Sequence, residues 1–163
     1  MEKNIPEIVR DRFGAAIRET VTPNDRRVYI TVDKTEIPAV CRFLHHELGG
    51  RLCIATGTDT RSGVEILYHF MFPAEHLVMT MKTLLSKPAP EIESVGSFYP
   101  AAVWIEREIH DLLGVVFRNH PDPRRILMAD DWPEDVYPLR RDFTGLEDAD
   151  MNGTGACSGG GGR

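Results

Sequence analysis

Three cysteines, Cys41, Cys53 and Cys157, are all this sequence holds, and no two of them form a Cys-x-x-Cys pair. So sparse and odd a set excludes the disulfide framework of a small secreted domain. It also falls short of the thiolates that an iron–sulfur cluster takes and of the paired ligands of a structural zinc site. No apolar run approaches the ~18 residues that cross a bilayer. The first residues, Met1 to Pro6, lack the basic and apolar regions of a signal peptide, so a cytoplasmic chain is expected. Basic residues are in the minority: 19 Lys and Arg against 25 Asp and Glu give a net charge of −6. That balance argues against nucleic acid as a partner, because phosphate contacts favour a basic face. The glycines near the end, Gly153-Thr154-Gly155, follow no strand and have no Lys-Ser/Thr beside them, which excludes a phosphate loop.

What remains is an ordinary globular balance, 42% apolar and 27% charged over 163 residues, fitting one domain. Residues 4–19 read as an amphipathic helix, opened by an Asn4/Glu7 capping box and carrying Ile5, Ile8, Val9, Phe13, Ala16 and Ile17 at helical spacing. Thr22-Pro23-Asn24-Asp25 breaks it, and Val28, Ile30 and Val32 then alternate as a half-buried strand. Asp33 with Glu36 suggests a second capping box before a helix bearing Ile37, Val40, Cys41, Leu44 and Leu48, which Gly49-Gly50 ends. Strands are expected at about 51–58, 64–72 and 76–85, with Cys41 and Cys53 in the core. A loop at Lys87-Pro88-Ala89-Pro90 leads to a third helix, Tyr99 to Leu113. The order α-β-α-β-β-β-α predicts an α+β two-layer sandwich, a mostly antiparallel sheet with helices on one face.

From Gly114 onward the pattern changes. Residues 119–143 contain Pro121, Pro123, Pro133 and Pro138 and no sustained period, which resists helix and central strand alike. Three parts are therefore expected: a domain at 1–118, an extended proline-rich C-terminal arm at 119–145, and a flexible glycine-rich tail at 146–163. The arm is expected to be mobile in the free chain and ordered by a partner.

The densest polar cluster, Trp104 to Asp111, puts Glu106 beside His110 and Arg107 beside Asp111 at i,i+4 on the third helix. Carboxylates next to a histidine raise the possibility of a free-standing metalloenzyme using Glu106, Glu108, His110 and Asp111, but neither Glu-x-x-His nor His-Glu-x-x-His occurs. The six histidines lie scattered, and no nucleophile–base pair is legible. Arg124-Arg125 and Arg140-Arg141 stand out as basic spots in an acidic chain, suited to binding carboxylates on a partner.

Three runs carry a resemblance: Glu106-Arg107-Glu108-Ile109-His110-Asp111-Leu112-Leu113-Gly114, then His120-Pro121-Asp122-Pro123-Arg124-Arg125-Ile126-Leu127, then Asp131-Trp132 with Pro138-Leu139-Arg140-Arg141-Asp142. They resemble the 30 kDa-subunit family of respiratory complex I, the C subunit of NADH:quinone oxidoreductase. The same domain recurs in membrane-bound energy-converting [NiFe] hydrogenases and formate hydrogenlyase. The run Trp132 to Arg140 looks more like the hydrogenase and formate-hydrogenlyase branch. The resemblance implies a subunit without an active site or cofactor of its own, inside an oxidoreductase complex on the inner face of the cell membrane. Its implied partners are the large subunit of the NiFe-hydrogenase or 49 kDa type and the iron–sulfur small subunit, with membrane subunits contacted indirectly. Iron–sulfur clusters and a NiFe site or quinone belong to those partners. The expected interface residues are Glu106, Arg107, Asp111, His120, Pro121, Arg124, Arg125, Trp132, Pro138, Leu139, Arg140 and Arg141.

Overall fold

A computed structural model describes residues 4–146. The expected 146–163 tail, with Cys157, lies outside the described residues except for Leu146. Asn4 caps the first helix, α1 (Ile5–Phe13), as its pattern requires: its side chain accepts from the Glu7 N–H while the Glu7 carboxylate accepts from the Asn4 N–H. The helix stops well short of residue 19. The chain instead forms a strand, β1 (Ile17–Asn24), that hairpins into β2 (Arg27–Val32). Ala16 and Ile17 continue the spacing of Phe13, which mimics a longer helix. The strand hides because it is an edge whose side chains are mostly exposed, so no buried alternation marks it. Two register shifts and Pro23 interrupt its pairing, as edge strands tolerate.

The second capping box does not form. Asp33 Oδ1 instead accepts from the Thr35 N–H and hydroxyl, a local turn, and Asp33 pairs with Arg18. Helix α2 (Ile37–His46) follows and buries Ile37, Val40, Cys41, Phe43 and Leu44. A meander of β3 (Arg51–Asp59), β4 (Val64–Phe72) and β5 (Leu77–Leu85) comes next. Lys87 to Pro90 leads first into a short strand, β6 (Glu91–Glu93), then to α3 (Pro100–Leu113) and β7 (Val116–Arg118), which pairs parallel with β6.

The main sheet runs β1-β2-β5-β4-β3, with β2 and β5 parallel and the other pairs antiparallel. The fold is thus mixed α+β, with a five-strand sheet and three helices among the described residues. On β4, Val64, Ile66, Tyr68, Phe70 and Phe72 face the helices and are buried, while Glu65, Leu67, His69 and Met71 face away. Cys41 lies in the core, but Cys53 is exposed, because it occupies the irregularity between Leu52 and Ile54 where β3 slips register against β4. Gly57 lets α3 approach β3: a Cβ there would sit 2.5 Å from the Leu113 side chain.

Candidate functional site: the clasp between helix α3 and the arm

The polar run on α3 does not form the i,i+4 pairs that its spacing suggests. Each of its buried charged groups turns to the chain around it. Arg107 Nε donates to the Arg124 carbonyl at 2.6 Å and Nη2 to the Arg125 carbonyl at 2.7 Å, while Nη1 lies 3.3 Å from Asp122 Oδ2. Its guanidinium also lies over the Trp104 ring, 5.2 Å from the centroid. One turn on, Asp111 Oδ2 accepts the backbone N–H groups of Ile126, Leu127 and Met128 at 2.8, 2.8 and 3.3 Å. Burial pushes the Asp111 carboxyl up, but those three donors outweigh it and hold its pKa below the ordinary carboxylate value. The arm has no strand or helix partner to satisfy its backbone, and these two side chains supply one.

Glu106 is wholly enclosed, at 0% exposure, and anchors the start of the arm. Its carboxylate accepts from Tyr68 Oη at 3.2 Å, Ser94 Oγ at 2.5 Å and the Val95 N–H at 3.0 Å. His120 Nε2 stands 3.7 Å from Glu106 Oε2 and donates to the Val103 carbonyl at 3.1 Å. The Asp122 N–H donates to His120 Nδ1, which fixes the proton on Nε2. Burial raises the Glu106 pKa against the pull of the Ser94, Val95 and Tyr68 donors. The same enclosure raises the Cys41 thiol and the Tyr68 phenol, each also feeling the Glu106 charge.

The far end of the arm closes over the C-terminus of α3. The Leu139 N–H donates to the Leu112 carbonyl at 3.0 Å, and Arg140 Nε donates to the Leu113 carbonyl at 2.6 Å. A cation and an amide thus satisfy the helix's last carbonyls, where the macrodipole is negative. Gly114, in the left-handed region at φ 66°, packs so tightly under the Tyr137 ring that a Cβ would collide with it. Asp59, at the end of β3, accepts the Arg141 N–H at 2.8 Å and pairs with Lys87 Nζ at 2.5 Å. Burial raises its carboxyl, but the Arg141 N–H and the Lys87 ammonium leave its pKa below the ordinary value.

Of the residues named from sequence, Glu106, Arg107, Asp111 and His120 are thus turned inward as the clasp. Arg125 Nη1 donates to the Trp132 carbonyl at 2.7 Å, and the Trp132 indole donates to the Val136 carbonyl at 2.8 Å, folding the middle of the arm onto itself. Pro138 is half-buried, while Pro121, Arg124, Leu139 and Arg141 are exposed. The Arg124 side chain, 81% exposed, binds only the neighbouring Asp122 carboxylate, which it holds well below the ordinary range. Sequence reasoning does not single out Tyr68, Ser94, Lys87 or Asp59, because each is an ordinary strand, turn or loop residue whose role depends on chain far away. The arm thus makes side-chain and backbone contacts with its own domain along its whole length.

The side chains that the metalloenzyme alternative would use have other partners here. Both Glu106 oxygens and Asp111 Oδ2 accept from chain donors, Glu108 is exposed, and His110 Nδ1 donates to the Val115 carbonyl at 2.9 Å. Among the described residues no three His, Cys, Asp or Glu side chains converge to hold a metal. No helix among them is long and apolar enough to cross a membrane.

The architecture is thus a small α+β domain whose last helix clasps an extended C-terminal arm. The chain belongs to the respiratory-chain NADH dehydrogenase 30 kDa subunit family, whose model matches residues 30–149. It is 35% identical to the C subunit of the F(420)H(2) dehydrogenase of Methanosarcina mazei, over 88% of this chain and 92% of that protein. It is 36% identical to hydrogenase-4 component G of Escherichia coli over 82% of this chain, which spans only 25% of that longer protein. Among solved structures, a chain of the membrane-bound sulfane sulfur reductase, an archaeal respiratory membrane complex, superposes with a TM-score of 0.75 at 25% identity, covering 90% of this chain and 89% of the other. These relatives are subunits of oxidoreductase complexes or parts of respiratory membrane complexes.

Proposed function

We propose that this chain is a cofactor-free docking subunit of a membrane-bound electron-transfer complex, seated on the large subunit that carries the NiFe or quinone site. It lies at the membrane's inner face without entering it. The observation that carries the reading is the clasp. Helix α3 commits Arg107, Asp111 and its terminal carbonyls to holding the arm, so the arm is presented as a preformed surface and loses little ordering entropy on docking. Trp104, Leu127 and Leu139 are left outward with exposures of 61, 52 and 57%, apolar anchors of the kind that dominate interfaces. Arg141, also exposed, supplies a fork for a carboxylate on the large subunit, while Arg124, its fork held by Asp122, joins Pro121 and Trp132 in shaping the surface offered to the partner.

The Trp132 to Arg140 run favours an energy-converting hydrogenase or formate-hydrogenlyase type of complex, and the match to hydrogenase-4 component G supports that branch. The second reading is the C subunit of an NADH:quinone oxidoreductase, which the family model's own description favours. Tagging the full chain in its own cells and purifying the membrane fraction tests both. Co-purification of a large subunit and an iron–sulfur subunit supports the docking role. Near-stoichiometric nickel marks the hydrogenase type, and bound quinone without nickel marks the other. Recovery of the chain alone, or redox turnover by the pure chain, sinks the docking role.

A further inference from the structure

Helix α3 and the middle of the arm do not meet everywhere. Between them lies a cavity of about 260 Å³, to which α3 contributes His110 and Asp111 and the arm contributes Trp132, Glu134, Asp135 and Tyr137. Glu134 and Asp135 are exposed, so the cavity can be entered from outside. Its size narrows what it takes. Pockets for cofactors and drug-sized ligands begin at ~300 Å³, and this one is smaller. Among the described residues no three His, Cys, Asp or Glu side chains converge to hold a metal. A single side chain from a neighbour fits the space.

The chemistry of the walls sets the sign of that side chain. Asp111 is 4% exposed, and its Oδ2 takes the three arm amides. Its Oδ1 accepts nothing among the described residues, and the carboxylate forms no ion pair with them. That oxygen is not sealed in, because Asp59 Oδ1 is the one fully buried side-chain atom among them that lacks a hydrogen bond. Asp111 Oδ1 therefore opens into the cavity. Beside it, His110 donates from Nδ1 to the Val115 carbonyl, so the neutral ring keeps Nε2 as an acceptor. Asp135 accepts the Tyr137 hydroxyl on Oδ1 at 3.3 Å and has its second oxygen to spare.

The lining carries three carboxylates, Asp111, Glu134 and Asp135, against one guanidinium, Arg125, a net charge of −2. Arg125 spends its Nη1 on the Trp132 carbonyl at 2.7 Å. A buried carboxylate without a counter-ion is costly, and a cation brought to it recovers that cost. Trp132 and Tyr137 add aromatic surface of the kind on which cations rest. An acidic or apolar side chain would leave Asp111 as it stands; a basic one completes it.

We infer that this cavity is a socket for one basic side chain, arginine or lysine, of the large subunit that docks at the clasp. This rests on the docking role above and deepens it: the carboxylate that latches the arm through Oδ2 also receives the partner through Oδ1.

Cryo-electron microscopy of the purified complex reads the cavity directly. The expected map shows an Arg or Lys side chain of the large subunit with a nitrogen at hydrogen-bond distance from Asp111 Oδ1. A Glu134→Gln/Asp135→Asn double variant removes two charges and keeps the shape, since asparagine accepts the left-handed backbone at φ 60° and still offers Tyr137 an acceptor. This variant should leave the complex about tenfold faster than the parent, while amide exchange at 126–128 in the free chain stays parental. The map decides by itself should that exchange rise. A cavity that holds water alone in the complex, or an apolar or acidic side chain, overturns the inference while the docking role stands. Parental retention of a double variant with intact exchange overturns it too. Failure of the chain to co-purify with any complex removes both readings together.

Discussion

Replacing Asp111 with alanine strands three backbone N–H groups at once, those of Ile126, Leu127 and Met128. Hydrogen bonds to a charged acceptor contribute about 1.5–3 kcal/mol each, but three donors on one oxygen do not add, and the arm can relax toward water. A loss of about 2–4 kcal/mol in the free energy of opening the arm is therefore expected. At about 1.36 kcal/mol per tenfold, that accelerates amide exchange at residues 126–128 by roughly 30- to 1,000-fold. The sheet core does not depend on this contact, so exchange of the Tyr68 and Met79 amides should stay as slow as in the parent. Hydrogen exchange read by NMR or mass spectrometry on the isolated full chain measures both, with Glu108→Ala, an exposed neighbour, as the control. Unchanged exchange at 126–128, or uniform acceleration across the whole chain, would refute the view that Asp111 is a local latch.

Two further predictions follow the same logic. Glu106 has a raised pKa in the fold, so its contribution to stability is greatest below its unfolded value near 4.3 and is lost as pH rises through the folded value. Denaturant melts across pH 4–8 should show that decline in the parent, and Glu106→Gln, which keeps the volume and has no charge, should remove it; an identical pH profile in both would contradict the assignment. Gly114→Ala must adopt a left-handed backbone and push Tyr137 aside, so a loss of about 2–4 kcal/mol in thermal or denaturant unfolding is expected, and a loss under about 1 kcal/mol would show that the arm is not packed there as described.

What can be read from the sequence divides along a physical line. The meander is legible because β3, β4 and β5 are buried on one face, and burial writes a period of two into residues such as Val64, Ile66, Tyr68, Phe70 and Phe72. Helix α3 is legible for the matching reason, and the motifs around Glu106 and Arg124 are enough to identify the family. Strand β1 is not, because an exposed edge strand need not alternate, and Phe13, Ala16 and Ile17 counterfeit a helical stripe. The short β6–β7 pair is hidden too, since three-residue strands carry almost no pattern. The polar cluster on α3 stands out in the sequence, but the direction in which it turns does not. Local spacing offers Arg107 to Asp111 and Glu106 to His110, whereas the arm offers backbone carbonyls and amides that no side-chain pattern announces. Asp59 meeting Arg141 across 82 positions has no sequence signal at all.

The parallel pairing of β2 with β5 has a consequence for how the chain is made. Strands β3, β4 and β5 are joined by short turns and can zip locally, but β2 finds its neighbour only when residues 77–85 exist, 77 − 32 = 45 positions after its own end. At synthesis rates of roughly 5–20 residues per second, the β1–β2 hairpin waits several seconds after emerging before its inner edge can be covered. During that interval Val28, Ile30 and Val32 have no meander to join, and α1 and α2 are the helices available to shelter them. Loop-closure cost then places the joining of hairpin to meander late in folding, as the slow step that completes the sheet.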